Sequence, residues 1–201
     1  MNVHTPPATA HRLPVLQSFI DELREIWRTD PDVGSCMEKA RQLMEKVVRD
    51  PDLQARSADW PSTEGRKNLL FYVDDEYGFA INAVVRVPGR KGSVHDHAHA
   101  WVLYGVLHGS ESLERYERID DRSREGYAQV RMTSVSQGVP GKVDLVPPFD
   151  IHAEQGGQGR SVALILRSCK LGDITQNQYD LETGAIRPGP GPTQIPFELT
   201  A

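Results

Sequence analysis

Residues 95–101 read His-Asp-His-Ala-His-Ala-Trp, and His152 stands alone in the later, Gly/Pro-rich part of the chain. The side-chain period of a strand is two, so an extended backbone here points His95, His97 and His99 to one face. Neutral imidazole is the commonest metal ligand. Two imidazoles from one strand and a third from a distant strand make a centre with an open position, where water or substrate can bind. His95, His97 and His152 are therefore the candidate ligands. His99 shares their face as a fourth ligand, a proton carrier, an outer donor or a plain pocket-lining residue. Imidazole suits iron, manganese, nickel, zinc and copper alike, and oxygen chemistry would select iron(II). A surface strand of ordinary histidines is the plain alternative, and strict alternation inside an apolar run argues against it.

Other residues extend this chemistry. Ala163, Ile165 and Arg167 alternate along a late apolar run and should face inward together. An interior arginine needs an anion, and its planar fork suits either a substrate carboxylate or a structural Asp or Glu. Arg66 and then Arg86 are weaker candidates for the same task. Trp101 and Tyr104 neighbour the histidine segment, either as packing or as a pocket wall and a hydroxyl donor. Asp96, between two candidate ligands, should point away and orient a loop or a backbone amide. Asp150 and Glu154 flank His152 at even spacing, as outer partners of the ligand or as solvated carboxylates. His108, beside Gly109, reads as an exposed turn residue.

These residues need a scaffold, and the chain shows two grammars. Residues 1–12 are polar with two prolines and read as a flexible arm. From Pro14 to Arg28, Val15, Leu16, Phe19, Ile20, Leu23, Ile26 and Trp27 recur at helical spacing. Asp30-Pro31-Asp32 ends that helix. A second spans Ser35 to Arg49, and Asp50-Pro51-Asp52 breaks it and starts a further short turn. Residues 13–60 thus form a helical cover. Beyond Trp60-Pro61 come short strands at Leu69–Val73, Gly78–Val87, Trp101–Leu107, Glu111–Ile119, Gln129–Val135, Val143–Val146 and Ser161–Arg167, separated by turn chemistry such as Pro88-Gly89 and Pro140-Gly141. That spacing without intervening helices implies a mainly β sandwich or barrel over 61–187. Residues 188–201 read as a Pro/Gly-rich tail.

At 201 residues the chain suits one domain with a full core. A formal net charge of −5, with acids and bases mixed along the chain, argues against non-specific nucleic acid binding. The two cysteines, Cys36 and Cys169, form no CxxC and fit a reducing compartment as buried small hydrophobes. The first apolar stretch is interrupted by Asp21, Glu22, Arg24 and Glu25, unlike a secretory signal, and no run is long enough to span a membrane. The expectation is a cytoplasmic protein, monomer or homodimer, with no nucleic acid or membrane partner.

The His-x-His pair, the following Gly109 and the lone histidine in Pro147-Pro148-Phe149-Asp150-Ile151-His152 together resemble the cupin superfamily. The resemblance implies a jelly-roll β-barrel holding a metal through His95, His97 and His152. Trp101 stands where such proteins usually carry a glutamate, which implies three histidines rather than three and a carboxylate. The two preceding helices, the His-Asp-His core and the Tyr-Asp-Leu-Glu-Thr-Gly turn at 179–184 look like the cysteine dioxygenase branch of thiol dioxygenases, over Leu13 to Gly184. That likeness implies iron(II), dioxygen and oxidation of a small thiol acid to a sulfinate, with Arg66 or Lys67 holding the substrate carboxylate. The chain diverges where that branch carries Ser, His and Tyr at alternate positions of a late strand. Those positions are Ala163, Ile165 and Arg167, and the position of the crosslinked cysteine is Val102. Two other readings stay open: a non-redox metalloenzyme (isomerase, lyase or hydrolase) and a barrel that binds a ligand without turning it over.

Overall fold

A computed structural model describes residues 13–200 apart from 171 and 173; the arm expected over 1–12 lies outside the described residues. Helix α1 (Pro14–Thr29) opens with proline at its first turn, where the missing N–H costs nothing, and buries Leu16, Phe19, Ile20 and Leu23. Asp32 caps α2 (Val33–Val47) by accepting from the Ser35 N–H at 2.7 Å, and Asp50 caps α3 (Pro51–Ser57) by accepting from the Leu53 N–H at 2.8 Å. Each Asp-Pro step that ends one helix therefore leads into the next. No described helix is long and apolar enough to cross a membrane.

Among the described residues twelve strands follow: β1 (Lys67–Val73), β2 (Ala80–Arg86), β3 (Val94–His95), β4 (Val102–His108), β5 (Glu111–Arg118), β6 (Val130–Gly138), β7 (Val143–Val146), β8 (Ile151–Gly156), β9 (Ser161–Arg167), β10 (Thr175–Tyr179), β11 (Ile186–Pro190) and β12 (Thr193–Pro196). They form two six-stranded sheets, ordered β12-β1-β2-β9-β4-β7 and β11-β10-β3-β8-β5-β6. Within them, 2-9-4-7 faces 3-8-5-6, the interleaved strand order of a double-sheet jelly roll. Among the described residues the protein is mainly β, a jelly-roll sandwich of two sheets with three N-terminal helices.

The centre of the first sheet is covered on both faces, which is why β2 and β9 are buried at every position. Val162, Leu164 and Leu166 face the helices with Leu103, Leu107, Leu16 and Phe19, and each such side chain contributes roughly 1.5–3 kcal/mol of burial. Ala163 and Ile165 face inward with Val84, Val102, Tyr104 and Val146. Helix α2 lies so close to β4 that a Cβ on Gly105 would sit 2.8 Å from Val48 Cγ1 and 3.0 Å from Met44 Cε. Cys36 is buried in this layer, whereas Cys169 is only half-buried, and no disulfide joins them.

The structure adds strands that local patterning does not announce. β3 has two residues, and β8, which begins after Pro147-Pro148 and ends at Gly156, is not among the strands read from local patterning. The Pro/Gly-rich tail contributes too: β11 pairs with β10, and β12 pairs parallel with β1, Lys67 opposite Thr193. Edge strands tolerate proline because one side of the ladder needs no donor.

Candidate metal centre

His95 ends β3 and lies directly opposite His152 of β8. His97 follows after the strand has ended, and the backbone then turns through Ala98 at φ 49°. Asp96 drives this bend. Its buried carboxylate accepts from Ala98 N (3.0 Å), Asn177 N (3.2 Å), Asn177 Nδ2 (3.0 Å) and the Tyr179 hydroxyl (2.7 Å), tying the segment to β10. Phe149, also left-handed at φ 61°, donates its N–H to the Ala98 carbonyl at 2.7 Å, which joins the loop after His97 to the loop before His152.

The three rings meet with centroids 4.5–4.9 Å apart. His95 Nδ1 is 2.9 Å from the Ser93 carbonyl and His152 Nδ1 is 2.9 Å from the Asp150 carbonyl, which fixes both rings with Nε2 turned inward. Glu154, two residues along β8 from His152, places Oε1 3.4 Å from His152 Nε2. The ligand atoms of His95, His97, His152 and Glu154 all lie within 4.8 Å of one another. The buried Nε2 atoms of His97 and His152 have no hydrogen-bond partner, a cost native interiors rarely accept without a ligand. These residues fit a divalent metal ion.

Electrostatics agree. Burial and the neighbouring His152 push His95 down to about 4, and burial with the Arg167 charge lowers His97 well below its ordinary range. Both imidazoles are thus neutral, with a lone pair to give. For His152 burial is outweighed by Glu154, which raises it. Glu154 in turn is held below the usual carboxylate range, because the attraction of His152, His95 and Arg86 overcomes its burial.

A cavity of about 360 Å³ opens onto this group. Arg167, Arg66 and Tyr104 line it. Arg167 is buried, with Nη1 3.3 Å from His97 Nδ1 and its Nε without a partner; burial pushes it down to about 10. Arg66 donates to the Pro190 carbonyl at 2.9 Å and to Gln176 Oε1 at 3.2 Å. The Tyr104 hydroxyl contacts Glu111 and Arg86, and Arg86 donates to Glu111 at 2.7 Å, a buried network on the wall. Burial and the Glu111 and Glu154 carboxylates raise the Tyr104 phenol despite the Arg86 charge, so it stays protonated.

Two candidates are not brought to the cavity. His99 is exposed, because the turn at Ala98 ends the strand alternation that would have aligned it with His97. Trp101 packs on the opposite side of the sheet under α2, where a Cβ on Gly34 would lie 3.0 Å from its ring. Conversely, Glu154 joins the histidines although its even spacing from His152 leaves it open between partner and solvated carboxylate. Gln176, whose amide sits against His97 Nδ1, carries no local signal at all.

Asp96→Ala is expected to cost about 2–3 kcal/mol in denaturant unfolding, since it strands buried donors. Metal affinity should fall roughly 10- to 100-fold in a chelator competition, because the loop carrying His97 loses its anchor.

No family model matches the chain. A Schizosaccharomyces pombe cupin domain is similar over 53% of this chain and 66% of that one, at 11% identity and a TM-score of 0.40. An oxalate oxidase in complex with the substrate analogue glycolate aligns over 55% of each chain, at 14% identity and a TM-score of 0.42. The DMSP lyase DddQ from Ruegeria pomeroyi DSS-3 aligns over 54% of this chain and 42% of its own, at 21% identity and a TM-score of 0.35. This chain thus spans less than two thirds of each of these proteins.

Proposed function

We propose that the cavity is the active site of a metal-dependent oxygenase, a mononuclear iron(II) dioxygenase acting on a small carboxylate-bearing substrate such as a thiol acid. The observation that carries this reading is one juxtaposition. His95, His97 and Glu154 line the cavity in front of His152, together with a buried Arg167 that makes no ion pair within 4 Å among the described residues. The proposed reaction takes one thiol and one dioxygen to one sulfinic acid, both oxygen atoms ending on sulfur. Iron(II) held by His95, His97 and His152, with Glu154 beside them, would supply the redox chemistry with dioxygen that no side chain provides.

The chain's own residues do the rest. Arg167 holds the substrate carboxylate next to His97, and its fork gives two parallel hydrogen bonds. Val84, Val102 and Ile165 keep that side of the cavity dry, which strengthens the ion pair. Tyr104 lies opposite Ile165 across β4 and β9, so a hydroxyl enters the cavity from β4 while the late-strand relay positions hold Ala163, Ile165 and Arg167. It keeps its single proton on Oη, donates it to Glu111 and accepts from Arg86, so it fixes the polar wall beside bound substrate. The proposed partners are this small anion and dioxygen, and the proposed setting is the cytoplasm, as monomer or homodimer.

Glu154 favours a second reading, because a buried carboxylate among the imidazoles is also a base for a non-redox isomerase, lyase or hydrolase on zinc, nickel or manganese. Metal analysis of protein purified without added metal, paired with an oxygen electrode after anaerobic iron(II) loading, separates the two. Near-stoichiometric iron with thiol-dependent oxygen uptake supports the oxygenase. Another metal, with turnover indifferent to oxygen, transfers the assignment to the non-redox enzyme. A ligand-binding barrel would hold carboxylates and turn over nothing.

A further inference from the structure

Six cationic side chains line the cavity: Arg66, Lys67, Arg86, Arg90, Lys91 and Arg167. Glu154 is the acidic residue that lines it with them, in a chain whose net charge is −5. Among the described residues only Arg86 of the six makes an ion pair, with Glu111 at 2.7 Å and Glu154 at 3.9 Å. Arginines elsewhere, such as Arg24, Arg41, Arg118 and Arg131, do find carboxylates.

The unpaired cations occupy two levels. Arg167 lies deep, beside His97. At the opening, Arg90 donates to the carbonyls of Thr63 and Gly65, and Arg66 to the Pro190 carbonyl and the Gln176 amide oxygen. These neutral acceptors hold the two guanidiniums in place without cancelling their charge. Lys67 and Lys91 are exposed on the same rim. One carboxylate on Arg167 leaves the rim uncompensated, and like charges held together without a counter-charge repel.

We propose that the cavity takes a small dianion, a dicarboxylate whose first acid group sits on Arg167 beside the histidines and whose second is held at the rim by Arg66, Arg90, Lys67 and Lys91. This rests on the reading of the cavity as the substrate site and narrows it: a monocarboxylate would use only half of the recognition built there.

Calorimetry on the protein with its metal bound tests the idea, using succinate and glutarate against butyrate and pentanoate. The dicarboxylates are expected to bind at least about 10-fold tighter, the equivalent of one further ion pair of roughly 1.4 kcal/mol. A Lys67→Gln/Lys91→Gln double variant changes only exposed side chains, so its fold should stand. It should remove most of that advantage and leave the monocarboxylates unchanged. Equal affinities for the two series overturn the proposal. So does an advantage that is undiminished in the double variant. Arg167→Gln separates the two levels of argument. If it abolishes monocarboxylate binding while dicarboxylates show no advantage, the site reading stands and the dianion falls. If it leaves both series untouched, both fall.

Discussion

Replacing His152 with alanine is expected to reduce bound metal from near-stoichiometric to background, a loss of at least about 100-fold in affinity. His152 is fully buried, pairs across the sheet with His95 and precedes Glu154 by two residues on the same strand. Its removal deletes one nitrogen ligand and also frees the Glu154 carboxylate that it attracts at 3.4 Å. Each change alone weakens a centre whose affinity depends on the number and fixed orientation of its ligands. Elemental analysis of the purified variant reads the outcome directly. The matched control is His99→Ala, which should retain full metal because that ring is exposed beyond the turn at Ala98. Full occupancy in His152→Ala, or loss in His99→Ala, would refute the ligand set.

Arg167→Gln should produce the largest loss in substrate recognition. Removing one side of a buried, hydrogen-bonded charge pair costs about 2–4 kcal/mol, which corresponds to roughly 30- to 1000-fold in affinity. Metal content should be unchanged, because the arginine touches His97 at Nδ1 while the orphaned Nε2 faces the other ligands. Stability should hold or rise in the ligand-free protein. A buried guanidinium without a carboxylate is itself a burden, and its loss relieves that desolvation. Combined calorimetry and thermal melting therefore distinguish a recognition residue from a structural one. A structural arginine would unfold the protein when replaced and leave the affinity of the surviving fold intact.

Much of this arrangement is legible along the chain because it is local. Asp30-Pro31-Asp32 and Asp50-Pro51-Asp52 end one helix and cap the next through side-chain contacts three residues away, so the helical cover follows from short windows of residues. The strict alternation in β9 places Ala163, Ile165 and Arg167 inside and Val162, Leu164 and Leu166 under the helices, as strand geometry requires. The same period brings His95 near the centre but fails for His99, because Asp96 bends the backbone through partners on β10 some eighty residues later. A side chain's hydrogen-bond partners across such a distance leave no mark in a local window.

Trp101 shows the same limit. An aromatic residue beside a metal segment reads as a pocket wall, yet the space under α2 was available and took it. Glu154 is the converse case. Prolines and glycines bound β8 without a clear strand pattern between them, and its pairing with β5 and β3 turns Glu154 inward with His152. The sequence by itself determined the helices, the mainly β sandwich or barrel class and which imidazoles were available, since these depend on periodicity, turn chemistry and residue type. The tertiary structure alone decided which carboxylate joins them, which histidine is left in solvent and that the cavity gathers unpaired cations. Those outcomes depend on register and long-range pairing, where a shift of one residue moves every side chain to the opposite face.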